Sequence, residues 1–219
     1  MKVHTAAIIG LSLVGPSTAL AKPLSYVGGA MLMQENDSGG HTAGIDYTFS
    51  PQAAVALHVQ RHTRGDNFTM LGPQFNALLK RWNLPEGQGN IFAMAGGGTS
   101  LDRGEMRPAA WTGLLADYET RRVFTSYEVR LSYAKRIEKS AWQRARIGWA
   151  TEPVKYNEAN IWLMLQVDRR DEKHLGVHHG SRAPDTEVTP LVRAIYKTFL
   201  IEGGVSNRGN VMFNWVQQF

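Results

Sequence analysis

The sequence predicts an exported all-β protein whose mature part is an antiparallel up-and-down transmembrane β-barrel of twelve strands. Three observations predict this fold: a signal-peptide pattern at the N-terminus, alternation of apolar and polar residues along the rest of the chain, and a last strand rich in aromatic residues. No linker-like stretch and no charge block divides the 219 residues, so one domain is expected after the leader. The chain has no cysteine, which excludes disulfides and thiolate metal sites.

The first 21 residues have the three parts of a cleaved signal peptide. Lys2 gives a positive start, residues 6–14 form a short apolar run, and residues 19–21 have the small-x-small pattern at which signal peptidase cleaves. The apolar run is shorter than the roughly 20 residues that a membrane-spanning helix needs. We therefore predict cleavage after Ala21 and a barrel formed by residues 22–219. A buried N-terminal helix is the alternative.

Alternation with a period of two marks the strands. In residues 41–50, Ile45 and Tyr47 lie on one face of the predicted strand, whereas Asp46 and Thr48 lie on the other. Ten is the alternative strand count, because residues 170–197 are ambiguous and Pro190 lies inside a predicted strand. The twelve predicted strands cover residues 25–35, 41–50, 53–62, 68–82, 90–99, 109–119, 123–134, 143–151, 160–169, 186–196, 198–206 and 211–219.

The alternation alone does not decide whether the apolar face lies inside or outside. A soluble β-sandwich or lipocalin-like barrel would place that face inside, whereas a membrane barrel places it against lipid. The polar face is rich in small residues and in charges of both signs, and aromatic residues cluster near strand ends, as in the girdles of membrane barrels. These features favour a membrane barrel with both termini in the periplasm, short periplasmic turns at 51–52 and 120–121, and its longest loop, 170–185, outside.

The last strand carries a recognisable pattern. Val211, Phe213, Trp215 and the terminal Phe219 share one face, and Gln217 is the one polar residue among them. This terminus resembles the assembly signal of Gram-negative outer-membrane β-barrel proteins. The resemblance implies recognition by the barrel-assembly machinery, a location in the cell outer membrane, and contact with outer-membrane lipids and lipopolysaccharide.

The middle of the chain is similar to a group of small, uncharacterised outer-membrane barrels. The similarity rests on residues 74–83, 117–122 and 189–193. No established activity belongs to that group, so the resemblance implies a fold and leaves the function open.

Charged residues on the polar faces are the main candidates for function. Two interpretations fit: ion pairs that brace a small barrel, since buried charges are tolerated when paired, or the lining of a polar channel. Lys197 is also expected to face inward. The predicted lumen-lining residues are Asp46, His58, Lys80, Asp117, Glu128, Arg130, Arg144, Arg146, Asp168, Arg193 and Glu202.

Histidines suggest two more specific sites. A turn centred on Gln52 would place Asp46 opposite His58, as a structural pair or as an acid–base pair. His174, His178 and His179 lie in the long loop and are weak candidates for zinc or copper ligands, because their spacing is not diagnostic. No cofactor is predicted.

Together these features predict a structural or narrow, porin-like barrel with a charged, largely ion-paired lumen. The alternative is an outer-membrane enzyme that modifies lipid or lipopolysaccharide. Such an enzyme needs a Ser/His/acid or His–metal grouping at the lipid-facing rim. The His and acidic residues are expected to point inward or to lie in a loop, so no catalytic residue is assigned. Export makes nucleic acid an irrelevant partner despite the net charge of +5, and the oligomeric state is left open.

Overall fold

The computed structural model describes residues 22–64, 67–155, 157–175 and 183–219, and its twelve strands form one closed barrel. Each strand pairs antiparallel with its sequence neighbours, and β1 pairs with β12. The prediction of a twelve-stranded up-and-down barrel is therefore confirmed. The strands are β1 (Ala30–Asp37), β2 (Gly40–Ser50), β3 (Ala53–His62), β4 (Thr69–Leu84), β5 (Gly87–Asp102), β6 (Glu105–Thr120), β7 (Val123–Ala134), β8 (Glu138–Ala150), β9 (Asn160–His174), β10 (Asp185–Tyr196), β11 (Phe199–Val205) and β12 (Val211–Gln218).

The signal-peptide segment 1–21 lies outside the described residues, so its cleavage stays a prediction. Within the described residues, the structure has no helix that is both long and apolar enough to cross a membrane.

The two faces of the barrel wall differ in polarity, because successive side chains of a strand point to opposite sides. Leu57, Tyr127 and Leu163 expose 50%, 51% and 59% of their surface on the outer face. Charged residues such as Asp168 and Arg193 are buried on the inner face. The outer face is thus apolar and the inner face is charged, which is the arrangement of a membrane barrel and the reverse of a soluble one.

Apolar side chains also fill parts of the interior. One cluster surrounds Trp162 and Leu200, a second contains Phe68 and Met70, and a third contains Phe92. The interior is therefore a mixture of apolar packing and ion pairs.

Two β-bulges change the register that simple alternation predicts. A bulge inserts an extra residue into one strand and reverses the facing of the residues beyond it. In β4 the shift lies between Leu78 and Lys80, so Lys80 pairs with the outward Ile91 and is exposed, while Arg81 pairs with the inward Asn90. The prediction that Lys80 faces the lumen is wrong for this reason.

The second bulge lies between Thr48 and Ser50 in the hairpin of β2 and β3. It pairs Asp46 with Ala56 and His58 with Gly44, so the prediction that Asp46 and His58 face each other is wrong. Lys197 is also corrected, because it is an exposed residue of the β10–β11 turn with a positive φ of 52°.

Candidate functional site in the barrel lumen

The lumen is the site that the fold offers, and most predicted charges lie in it. The exceptions are Lys80 and Lys197, for the reasons given above. The inward side chains of the predicted set are those of Asp46, His58, Asp117, Glu128, Arg130, Arg144, Arg146, Asp168, Arg193 and Glu202.

Arg144 is the centre of the larger ion-pair group. Its Nε donates to Oδ1 of Asp168 at 2.8 Å, and its Nη2 donates to Oδ2 of Asp37 at 2.7 Å. Its Nη1 lies 3.7 Å from Oε2 of Glu35. The guanidinium also lies over the ring of Trp142, 4.4 Å from the centroid. Asp37 is on β1 and Arg144 on β8, so these bonds cross the lumen and connect distant parts of the wall.

Glu35 and Asp37 were absent from the predicted set. The predicted first strand ended at residue 35, whereas β1 continues to Asp37. Extending the same alternation by two residues would have placed Asp37 on the inner face with Met31 and Met33. Glu35 already lay on that face within the predicted strand and was not selected. The missing signal for Asp37 was therefore the end of the strand. Arg170 of β9 adds to the group by donating to Oδ2 of Asp37 at 2.8 Å.

Glu202 organises a second group. Nε and Nη2 of Arg193 both lie 2.6 Å from Oε1 of Glu202, and Asn214 donates to Oε2 at 2.9 Å. Nη2 of Arg146 lies 3.5 Å from the same Oε2, and Nε of Arg146 donates to Gln166 at 2.7 Å. Two arginines therefore share one carboxylate.

The wall formed by β2 to β6 is different, because its carboxylates accept hydrogen bonds from amides. Asn76 donates to Asp46, and Asn90 donates to Asp117, each at 2.6 Å. The arginine groups on β8 to β10 thus face an acidic wall, and the charge of the lumen is unevenly distributed.

An N-terminal segment, residues 22–25, enters the lumen at the end where both chain termini lie. Nζ of Lys22 is 3.4 Å from Oε2 of Glu119, and the carbonyl of Pro23 accepts a hydrogen bond from Asn76 at 3.3 Å. Leu24 is buried with Phe92 and Leu115. The segment narrows this mouth of the barrel.

Among the described residues, the lumen contains a cavity of about 70 Å³ and another of about 60 Å³. The larger one is bordered by Trp111 and Trp142, and the smaller one by Lys22 and the arginines of β8 and β10. Six residues border both cavities. We call this set the constriction; it consists of Glu35, Thr42, His58, Gln74, Met94 and Arg130.

The histidine candidates are only partly placed. Nδ1 of His174 lies 3.8 Å from Oε2 of Glu138, and Nδ1 of His62 lies 3.5 Å from Oε1 of the same carboxylate. His178 and His179 lie outside the described residues. Across the described ranges, no group of three or more His, Asp or Glu side chains is arranged to hold a metal ion.

The residues of the expected assembly signal form the closing seam. Val211, Phe213 and Phe219 are exposed, and Nε1 of Trp215 donates to Gln34 of β1 at 3.1 Å. The amide of Phe219 donates to the carbonyl of Ala30 at 2.8 Å. The role of this pattern in assembly stays a prediction.

Comparison with known proteins gives likeness of fold only. No family model matches the sequence, and no curated protein matches it. Among solved structures, LpxR from Salmonella typhimurium is 8% identical, with a TM-score of 0.45 over 87% of this chain and 99% of its own. A KdgM porin in complex with disordered oligogalacturonate is 11% identical, with a TM-score of 0.43 over 87% and 98%. OccK8 (OprE) of Pseudomonas aeruginosa is 9% identical, with a TM-score of 0.44 over 82% and 57%.

The closed strand order and the two faces of the wall define the class of protein: a membrane-spanning β-barrel of twelve strands. The function is inferred from the side chains and cavities in the lumen.

Proposed function

We propose that the protein is an outer-membrane barrel whose ion-paired lumen is a narrow channel for small polar solutes. The observation that carries the proposal is that the six residues of the constriction border both cavities, which places the two cavities next to each other in the lumen. The location is supported by the apolar outer face and by the predicted signal peptide.

The size of the path limits what it can pass. A cavity needs about 10–15 Å³ to hold one water molecule, so the two cavities hold roughly four to seven waters each. At the constriction, Arg130 is held by Glu128 through a 2.5 Å bond, and the ring of His58 packs 5.3 Å from that of Trp111. We therefore expect low conductance, limited to small solutes.

The ion pairs support this function mechanically. Arg144 and Glu202 tie strands together across the interior. A barrel that is braced in this way keeps a narrow lumen without losing its shape. Lipids and lipopolysaccharide would contact the outer face and the exposed basic turn residues Lys135 and Arg136, and the barrel-assembly machinery would act on β12 during biogenesis. No feature of the described lumen favours the enzymatic alternative.

The test begins with location and ends with conductance. The exported protein should fractionate with outer membranes and should migrate faster on gels when unheated than when boiled. In planar bilayers it should give small, steady conductance steps. A Met94→Ala variant shortens a side chain of the constriction, and its conductance should rise severalfold.

Leu71→Ala is the matched control, because Leu71 lies on the outer face of the neighbouring strand and does not border the lumen. It should leave conductance unchanged. A soluble periplasmic protein, an unsubstituted barrel without conductance, or a Met94→Ala barrel with the same conductance as the unsubstituted one would contradict the proposal.

A further inference from the structure

Four arginines border the smaller cavity, Arg130 at the constriction and the group of Arg144, Arg146 and Arg193 on β8 and β10. The side chains of this group are only 2%, 8% and 1% exposed. Among the described residues, one guanidinium nitrogen of each has no hydrogen-bond partner: Nη1 of Arg144, Nη2 of Arg146 and Nη1 of Arg193. The first two make only longer ion-pair contacts, at 3.7 Å to Glu35 and 3.5 Å to Glu202. Buried donors without acceptors are destabilising, so an acceptor bound between these groups would be favoured.

The net charge around Arg146 and Arg193 is positive, which also favours an anion. Among the described residues, Glu202 is the one carboxylate within 4.0 Å of Arg146 and of Arg193. Its Oε1 is taken by Arg193 and its Oε2 accepts from Asn214, which leaves Arg146 at 3.5 Å. Two positive charges against one negative charge leave an excess of one positive charge at Arg146 and Arg193, while Glu35, Asp46, Asp117 and Glu128 border other parts of the cavity. Arg144 differs, because it has three carboxylates around it.

The geometry fixes the guanidinium groups in place. Arg193 is held by two 2.6 Å contacts to Glu202 and lies over the ring of Phe124, 4.7 Å from the centroid. Arg146 is fixed by its bond to Gln166. Guanidinium groups that are fixed in this way each present one donor nitrogen, and carboxylate and phosphate oxygens are the acceptors that arginine binds with charge-assisted hydrogen bonds.

We propose that this cavity binds a small oxyanion, a carboxylate or a phosphate, between Arg144, Arg146 and Arg193. The cavity of about 60 Å³ has room for about four to six water-sized groups, which matches phosphate or a short-chain carboxylate. Met33 and Val216 also border the cavity and leave an apolar side for a short carbon chain. The inference rests on the proposed channel only because the anion reaches the cavity through the lumen.

Titration calorimetry of the purified barrel in detergent tests this site. Inorganic phosphate and acetate are titrated separately at constant ionic strength against a chloride background, and thermal unfolding is followed in parallel. We expect saturable binding and a higher unfolding temperature with the bound anion. Whichever of phosphate and acetate binds with the higher affinity shows whether the natural ligand carries a phosphate or a carboxylate.

Arg146→Gln should weaken binding at least tenfold, because it removes the excess charge and leaves the pair of Arg193 and Glu202 intact. Arg146→Lys keeps the charge but lacks the planar guanidinium. Its affinity for the anion should therefore lie between those of Arg146→Gln and the unsubstituted barrel. Arg81→Gln is the matched control, since Arg81 bonds to Asn90 away from this cavity and should leave affinity unchanged.

Absence of saturable binding, or equal affinity in Arg146→Gln and the unsubstituted barrel, would overturn the site. If Arg146→Gln does not give a heat-modifiable barrel, Arg146→Lys decides: weaker binding supports the site and unchanged binding overturns it. Conductance separates the two proposals. A barrel that binds anions without conducting refutes the channel alone, and one that conducts without binding them refutes the anion site alone.

Discussion

Arg144 holds carboxylates from two parts of the barrel wall, Asp37 from β1 and Asp168 from β9. Burying one guanidinium and its partners costs solvation, and the cost is recovered only when each charge is paired with good geometry. The 2.7 and 2.8 Å bonds meet that condition. Removing the Arg144 guanidinium alone would therefore leave Asp37 and Asp168 buried with fewer partners. This would destabilise the barrel more than removing the arginine together with both carboxylates.

We predict that Arg144→Ala lowers the free energy of unfolding by about 3–5 kcal/mol, the cost of breaking a buried ion pair. Asp37 keeps its bond to Arg170, and Asp168 keeps those to Trp142 and Gln166, which points to the lower part of that range. Urea unfolding of the refolded barrel measures the change.

Arg81→Ala is the control for the loss of one arginine. Arg81 is exposed and has a hydrogen bond to Asn90, so its removal should change stability by about 0.5 kcal/mol or less. Equal stability of the two variants would mean that water in the lumen screens the Arg144 pairs.

Sequence alternation predicted most inward charges correctly in direction, because a strand leaves only two directions for a side chain. It failed at Lys80, where one extra residue in β4 reverses the facing and moves Arg81 inward. Alternation also gives no partner for a charge. The pairing of Asp37 with Arg144 joins residues 107 positions apart and depends on barrel closure, which local pattern does not contain.

At the scale of single elements, the three glycines at 96–98 in β5 allow neighbouring groups to pack closely against this strand. A Cβ on Gly98 would lie 2.1 Å from the carbonyl oxygen of Leu71, and one on Gly96 would lie 2.3 Å from the ring of Trp111. Residues 96–98 are therefore a place of close approach between β5 and its neighbours. Which neighbour needs the space became visible only in the structure.

The segment 22–25 is the other informative element, because the sequence predicted a strand beginning at residue 25 and the structure has β1 begin at Ala30. Its apolar contact is Leu24, which is 8% exposed against Phe92 and Leu115. Alternation extended the predicted first strand over residues 25–29, because it does not distinguish a coil from the beginning of a strand.

We predict that Leu24→Asp releases this segment and raises the conductance of the barrel, because a carboxylate in the apolar cluster would be buried without a partner. Planar-bilayer recording of protein purified from outer membranes measures the effect. Val27→Asp serves as the control, since Val27 is 54% exposed and should tolerate a charge. Identical conductance in both variants would show that residues 22–25 do not limit the path.

At the scale of the whole molecule, twelve strands were predictable because each one crosses a bilayer and must hydrogen-bond on both edges, which requires closure. The bilayer also explains the polarity of the outer face, where the apolar residues of each strand contact lipid. The content of the lumen was less predictable. Apolar residues such as Trp162 and Phe92 fill part of it. Alternation places Trp162 on the same face as Asp168, but it does not show how much of the lumen such side chains fill.

The outer face gives the most direct test that the barrel spans a membrane. Leu165 is 42% exposed near the middle of β9, and Met106 is 76% exposed at one end of β6. An arginine on the lipid-facing side costs about 2–4 kcal/mol at the bilayer midplane and about 0–1 kcal/mol near an interface. Leu165→Arg should therefore lower the free energy of unfolding in lipid vesicles by about 2–4 kcal/mol, and Met106→Arg by about 0–1 kcal/mol. Small and equal losses in both variants would mean that the apolar face of β9 is not in contact with hydrocarbon.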